Sequence, residues 1–99
     1  DKVLAALEAV KAELHREQLP FDKAVPVGVY VEVPSAALIS EAIAAKVDFL
    51  SIGVNDLVQF TLAVDRDNPD LGGLYKQFHP SVMRLIAQTV KPGRRVDAE

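Results

Sequence analysis

Val25-Pro26-Val27-Gly28-Val29-Tyr30-Val31-Glu32-Val33-Pro34 and Val47-Asp48-Phe49-Leu50-Ser51-Ile52-Gly53 are the two stretches that decide the fold. The first is rich in β-branched residues and predicts a strand over 25–33. Val27, Val29, Val31 and Val33 share one face, with Gly28, Tyr30 and Glu32 on the other. The second predicts a shorter strand over 47–52, apolar enough to be buried on both faces and ended by Gly53. Between them, Pro34 stops the first strand and Ser35 is a candidate N-cap. The helix that follows carries Ala36, Ala37, Leu38, Ile39, Ala42 and Ile43, with Ser40, Glu41 and Lys46 outward.

Upstream, Val3, Leu4, Leu7, Val10 and Leu14 recur at three- and four-residue spacing, which predicts an amphipathic helix over 2–17. Leu19-Pro20-Phe21-Asp22 breaks it. Downstream, Asn55 or Asp56 is placed to cap a short helix with Leu57, Val58, Phe60 and Leu62. Residues 65–73 form a polar turn region. Pro80-Ser81 opens a last helix, and Pro92-Gly93 is expected to end it. The chain divides into a main body over 1–91 and a charged tail over 92–99. Helices alternating with strands imply βαβ units, a parallel sheet and the α/β class. Two strands buried on both faces require further strands beside them. A complete (β/α)8 barrel takes about 250 residues.

The 99 residues carry a formal net charge of -3, which offers no general surface for nucleic acid. There is no cysteine, so disulfides, thiolate metal sites and a cysteine nucleophile are excluded for these residues. No apolar run approaches the roughly 18 residues of a membrane span. The opening Asp1-Lys2-Val3-Leu4 has neither a starting methionine nor a signal-peptide pattern, and a segment of a longer chain is expected.

In parallel α/β architectures ligands bind beyond the C-terminal ends of the strands. Glu32 stands at the end of the first strand and Asp56 just past the second. Adjacent strands lie about 4.8 Å apart, so two such carboxylates can meet at one hard cation such as Mg2+. A salt-bridged strand end and a plain helix cap are the alternative readings of the same two residues. Asp48, nearer the start of its strand, reads as structural. Arg66, in the loop Asp65-Arg66-Asp67-Asn68, suits bidentate binding of phosphate or carboxylate, or pairs with Asp65 or Asp67. His15 reads as a solvated helix-face residue and His79 as a helix-entry residue. No nucleophile and base stand together in the manner of a triad.

At these residues a resemblance emerges. Val29-Tyr30-Val31-Glu32-Val33-Pro34-Ser35-Ala36-Ala37 is similar to the pattern MVExPxAA. The stretch from Val47 to Asn68 is similar to VDFFSIGTNDLxQYTLAVDRxN, and Leu74-Tyr75, His79-Pro80-Ser81-Val82 and Arg84-Leu85-Ile86 continue it. Over about residues 1–90 the chain resembles the enzyme I family of the bacterial phosphotransferase system. The resemblance implies a partial (β/α)8 TIM barrel that binds phosphoenolpyruvate, with Glu32 and Asp56 as Mg2+ ligands. It implies that Asn55 hydrogen-bonds the substrate phosphate and that Arg66 binds phosphate. No catalytic residue proper falls on this stretch. In the family the phosphoryl group passes to a histidine on a separate domain, then to the histidine-containing phosphocarrier protein for sugar uptake. A cytoplasmic homodimer is implied, with neither nucleic acid nor membrane as partner. Phosphoenolpyruvate synthase and pyruvate phosphate dikinase share the core GxNDLxQ and give the alternative parentage. A non-catalytic assembly fragment is the third reading. Three departures stand out. Val54 replaces the family's usual threonine, the strand with the acid cysteine does not appear, and residues 91–99 do not follow the family clearly.

Overall fold

The two runs of β-branched residues lie side by side. The computed structural model of the chain describes residues 1–95, with side chains as far as Pro92. Strands β1 (Gly28–Val31) and β2 (Phe49–Ile52) form a parallel pair, Gly28 opposite Phe49 and Val31 opposite Ile52. The ladder continues past both ends: the Asp48 N–H donates to the Val27 carbonyl at 2.8 Å and the Gly53 N–H to that of Val31 at 2.9 Å. The Asp48 carboxylate also accepts the Val27 N–H at 2.7 Å, so it fixes strand register at the end remote from Glu32.

Around the pair lie helices α1 (Lys2–Arg16), α2 (Pro34–Leu38), α3 (Ser40–Ala44), α4 (Val54–Leu62) and α5 (Pro80–Arg95), with a 3-10 turn over Pro69–Leu74. The architecture is mixed α/β. Its core gathers Val31 of β1, Ala37 of α2, Ala44 of α3, Leu57 and Val58 of α4, Val64, and Val82 of α5. The packing is one-sided. The radius of gyration is 17.2 Å, against about 13 Å for a compact chain of this length. Helix α1 buries no residue, and its Val3 is 76% exposed. Its Leu4, Leu7 and Leu14 are half-buried, and polar contacts tie it further: Lys46 to the Asp1 carboxylate at 2.8 Å and Lys11 to the Lys23 carbonyl at 3.3 Å. An apolar cavity of about 390 Å³ opens between α1, β1 and α3, lined by Val3, Leu4, Val29, Ile39 and Ile43 among others.

Several expectations are corrected. The first strand is four residues long because only four positions find a partner across the ladder. The second is not buried on both faces: Phe49 is 37% exposed and Ser51 is exposed. With two strands and helices mainly on one side, nothing among the described residues covers the other. Tyr30, on the face of Gly28 and Glu32, is likewise 56% exposed. The helix after β1 starts at Pro34 rather than after a Ser35 cap, with Val33 in the capping position, since proline suits the first helical turn. It breaks at Ile39 (φ -105°, ψ 18°) into α2 and α3. Neither Asn55 nor Asp56 caps α4, which begins at Val54 behind Gly53 without a side-chain cap.

The last helix does not stop at Pro92-Gly93 but continues to Arg95, so the tail from 92 begins inside α5 and only 96–99 lie outside the described residues. Proline removes one helical N–H and crowds the carbonyl four residues back. That carbonyl belongs to Gln88, and it accepts instead from the hydroxyl of Ser40 at 3.3 Å. Ser40 was expected outward; it is 1% exposed, because Pro92 leaves an acceptor for it in the α3–α5 contact. The pairing makes a prediction. Ser40→Ala should cost about 1–3 kcal/mol, and clearly less in a Pro92→Ala background where the helix supplies its own donor. Urea unfolding of the four proteins of that double-mutant cycle reads the coupling. Equal costs in both backgrounds would contradict it.

Candidate functional site

Because the strands are parallel, the residues that follow them emerge at one edge. Glu32 follows Val31, and Gly53 follows its partner Ile52. A Cβ built on Gly53 would come within 2.9 Å of the Glu32 Cγ and of two Tyr30 ring carbons. Gly53 is therefore the hollow on which the stem of Glu32 rests, three residues before Asp56. Asp56 sits in the first turn of α4, where the positive end of the helix favours an anionic side chain.

Arg66 reaches the same place from the loop after α4. Helix α4 ends at Ala63 in the left-handed region (φ 53°, ψ 42°), with the Val64 N–H donating to the Gln59 carbonyl at 3.0 Å. Val64, 5% exposed, anchors the turn in the core. The Arg66 N–H then donates to Gln59 Oε1 at 3.1 Å, and Asp65 turns the chain by accepting the Asp67 N–H at 2.9 Å. The guanidinium returns toward the helix start, with Nη1 3.3 Å from Asp56 Oδ1. The sequence offered Asp65 or Asp67 as ion partners of Arg66; the partner is Asp56. Both side chains are about a third exposed, so the pair contributes at most about 1 kcal/mol and is readily exchanged for other ligands.

Asn55 stands beside Asp56 at the start of α4. Its carbonyl and its Oδ1 face the Tyr75 hydroxyl at 3.3 and 3.2 Å, and Oδ1 also faces Gln77 Nε2 at 3.4 Å. Glu32, Asn55, Asp56 and Arg66 thus belong to one end of the sheet. Asp48 belongs to the other. His79 lies apart from them at the start of α5, where its Nδ1 accepts the Ser81 N–H at 3.3 Å and lies 2.7 Å from the Ser81 hydroxyl. It serves helix entry, as expected. His15, in the last turn of α1, is exposed.

Among the described residues, no group of three or more His, Cys, Asp or Glu comes together as a metal cage. Mg2+ does not require one: it is held by one or two carboxylates, with water and substrate oxygens completing the shell. Glu32 and Asp56 are the carboxylates of this edge that would supply such oxygen donors.

A family profile described as "PEP-utilising enzyme, PEP-binding domain" matches residues 1–99. The chain belongs to this family. Among relatives, the phosphoenolpyruvate-protein phosphotransferase of Haemophilus influenzae is 52% identical over 86 residues, 87% of this chain and 15% of the relative. The protein of the same name from Borreliella burgdorferi is 48% identical over 83 residues, 84% of this chain and 14% of the relative. That from Buchnera aphidicola is 44% identical over 90 residues, 91% of this chain and 16% of the relative. The chain therefore spans about a seventh of the length of the curated relatives it matches. Among the described residues no helix is long and apolar enough to cross a membrane.

Three residues that contact this edge drew no role from the sequence: Gln59, Tyr75 and Gln77. Gln59 had a readable signal, since it lies one helical turn from Asn55 on the same side of α4. Tyr75 lies in the matched Leu74-Tyr75 pair but drew no role there, and Gln77 had no signal; the intervening 3-10 turn brings both back. The Gln59 contact is testable by hydrogen exchange. Gln59→Ala should speed exchange of the Arg66 amide about fivefold, the worth of one ordinary hydrogen bond, and leave the Leu57 and Val58 amides unchanged. An unchanged Arg66 amide would contradict the contact.

Proposed function

We propose that this chain is part of a (β/α)8 barrel where phosphoenolpyruvate binds, in a phosphotransferase that moves its phosphoryl group to a protein histidine. One observation carries the reading. In a chain matched throughout by a PEP-binding family, two acidic residues and an arginine belong to the C-terminal edge of a parallel strand pair, with Asp56 and Arg66 3.3 Å apart. That edge is where parallel α/β folds keep their ligands. The relatives named phosphoenolpyruvate-protein phosphotransferase favour this parentage over phosphoenolpyruvate synthase or pyruvate phosphate dikinase.

In this reading Glu32 and Asp56 hold Mg2+, which when bound neutralises charge on phosphoryl and carboxylate oxygens. Arg66 exchanges its contact with Asp56 for the phosphoryl oxygens, where a planar guanidinium offers two parallel N–H donors. Asn55 donates to the same group. In the transfer itself the bridging P–O bond breaks and a P–N bond forms on the acceptor histidine. The enolate left behind gains a proton at carbon to give pyruvate. These residues position the donor and stabilise its charge, which is most of what phosphoryl transfer asks of a protein. The acceptor histidine and the proton donor lie on other parts of the parent polypeptide. The onward partner is a histidine-containing phosphocarrier protein, the setting a cytoplasmic homodimer serving sugar uptake.

Glu32→Gln or Asp56→Asn in the complete polypeptide should raise the Mg2+ concentration for half-maximal pyruvate release at least about tenfold. An unchanged Mg2+ requirement in both variants would refute their role. The isolated 99 residues should release no pyruvate from phosphoenolpyruvate; robust release would show that acceptor and acid are not needed from elsewhere.

A further inference from the structure

The site contains a polar group whose orientation matters and which cannot orient itself. A primary amide presents an acceptor on one side and two donors on the other, and only the donor side suits a phosphoryl group. Either side of Asn55 could face the ligand unless neighbours decide. Two do. The Tyr75 hydroxyl lies 3.3 Å from the Asn55 backbone carbonyl and 3.2 Å from its Oδ1. Both are acceptors and the phenol has one proton, so that proton is shared between the carbonyl and Oδ1. Gln77 Nε2 adds a second donor to Oδ1 at 3.4 Å. Oδ1 is thereby approached by two donor groups, while Nδ2 makes no hydrogen bond to any described residue.

We propose that Tyr75 and Gln77 are positioning residues that lock the Asn55 amide with Oδ1 turned to the protein and Nδ2 turned to the phosphoryl group. The proposal rests on the reading of Asn55 given above and deepens it. Tyr75 is half-buried at the end of the 3-10 turn, twenty residues from Asn55 in sequence, so it also ties that turn to the start of α4. Neither residue touches the ligand in this account. Their effect is therefore confined to the part of the substrate that Asn55 meets.

The test uses the complete polypeptide with Mg2+ and compares equilibrium binding of phosphoenolpyruvate with that of pyruvate, which has no phosphoryl group. Tyr75→Phe keeps the ring and removes only the donor; Gln77→Met does the same for the amide. Each should weaken phosphoenolpyruvate binding by about three- to tenfold and leave pyruvate binding unchanged. In an Asn55→Ala background the Tyr75→Phe change should have no further effect, because its target is gone. Equal weakening of both ligands, no weakening at all, or full additivity with Asn55→Ala would overturn the positioning role. If Asn55→Ala itself left phosphoenolpyruvate binding unchanged, the reading of Asn55 would fall, and this proposal with it.

Discussion

The parallel hydrogen-bonded pairing of β1 with β2 is the constraint on which everything else depends. With Val31 opposite Ile52, Glu32 comes level with Gly53 at the edge from which α4 begins. An antiparallel pairing would send Glu32 toward the Asp48 end and separate it from Asp56 by the length of the strands. The register is held at both ends. Asp48 grips the Val27 amide at the start, and the Gly53 amide bonds to Val31 at the finish. The bare Cα of Gly53 then gives the Glu32 and Tyr30 side chains room that any larger residue would fill. One carboxylate is thus placed by a strand and the other by a helix start, and neither depends on loop conformation.

The second tier of the site depends on how α4 stops. The left-handed turn at Ala63, the buried Val64 and the Gln59 side chain bring Arg66 back along the helix it has just left. An exposed loop of alternating Asp, Arg, Asp and Asn would otherwise have no reason to face Asp56. The resulting ion pair is weak, which is compatible with the proposed role in which Arg66 exchanges Asp56 for an anionic ligand. Tyr75 and Gln77 complete the same edge from a third element. The site is assembled from the end of β1, the start of α4, the loop after it and the chain leaving the 3-10 turn, with α2, α3 and β2 between the first and the second.

Much of this was legible from residue patterns. Alternating valines marked β1, the apolar run before Gly53 marked β2, and their parallel arrangement followed from the helix between them. The positions of Glu32 and Asp56 followed from that topology alone. What escaped the patterns was governed by long-range chemistry. Ser40 looks like a surface serine until Pro92, fifty-two residues later, frees the Gln88 carbonyl for it. Pro92 looks like a helix stop, yet α5 carries it inside, with Ser40 taking up the orphaned acceptor. The half-exposed β2 and the only partly covered α1 contradict burial patterns that presuppose neighbours on every side. Both follow from a two-stranded sheet whose outer face no described element covers.

The most direct test of the proposed shared-carboxylate site is to locate the ion itself. Crystals of the complete polypeptide grown with Mn2+ in place of Mg2+ and with phosphoenolpyruvate would give an anomalous-scattering peak at the metal. The account predicts a single peak at the C-terminal edge of β1 and β2, with oxygens of both Glu32 and Asp56 at about 2.0–2.2 Å, near the Mg2+ bond length. A peak ligated by only one of them, or lying elsewhere in the polypeptide, would contradict it.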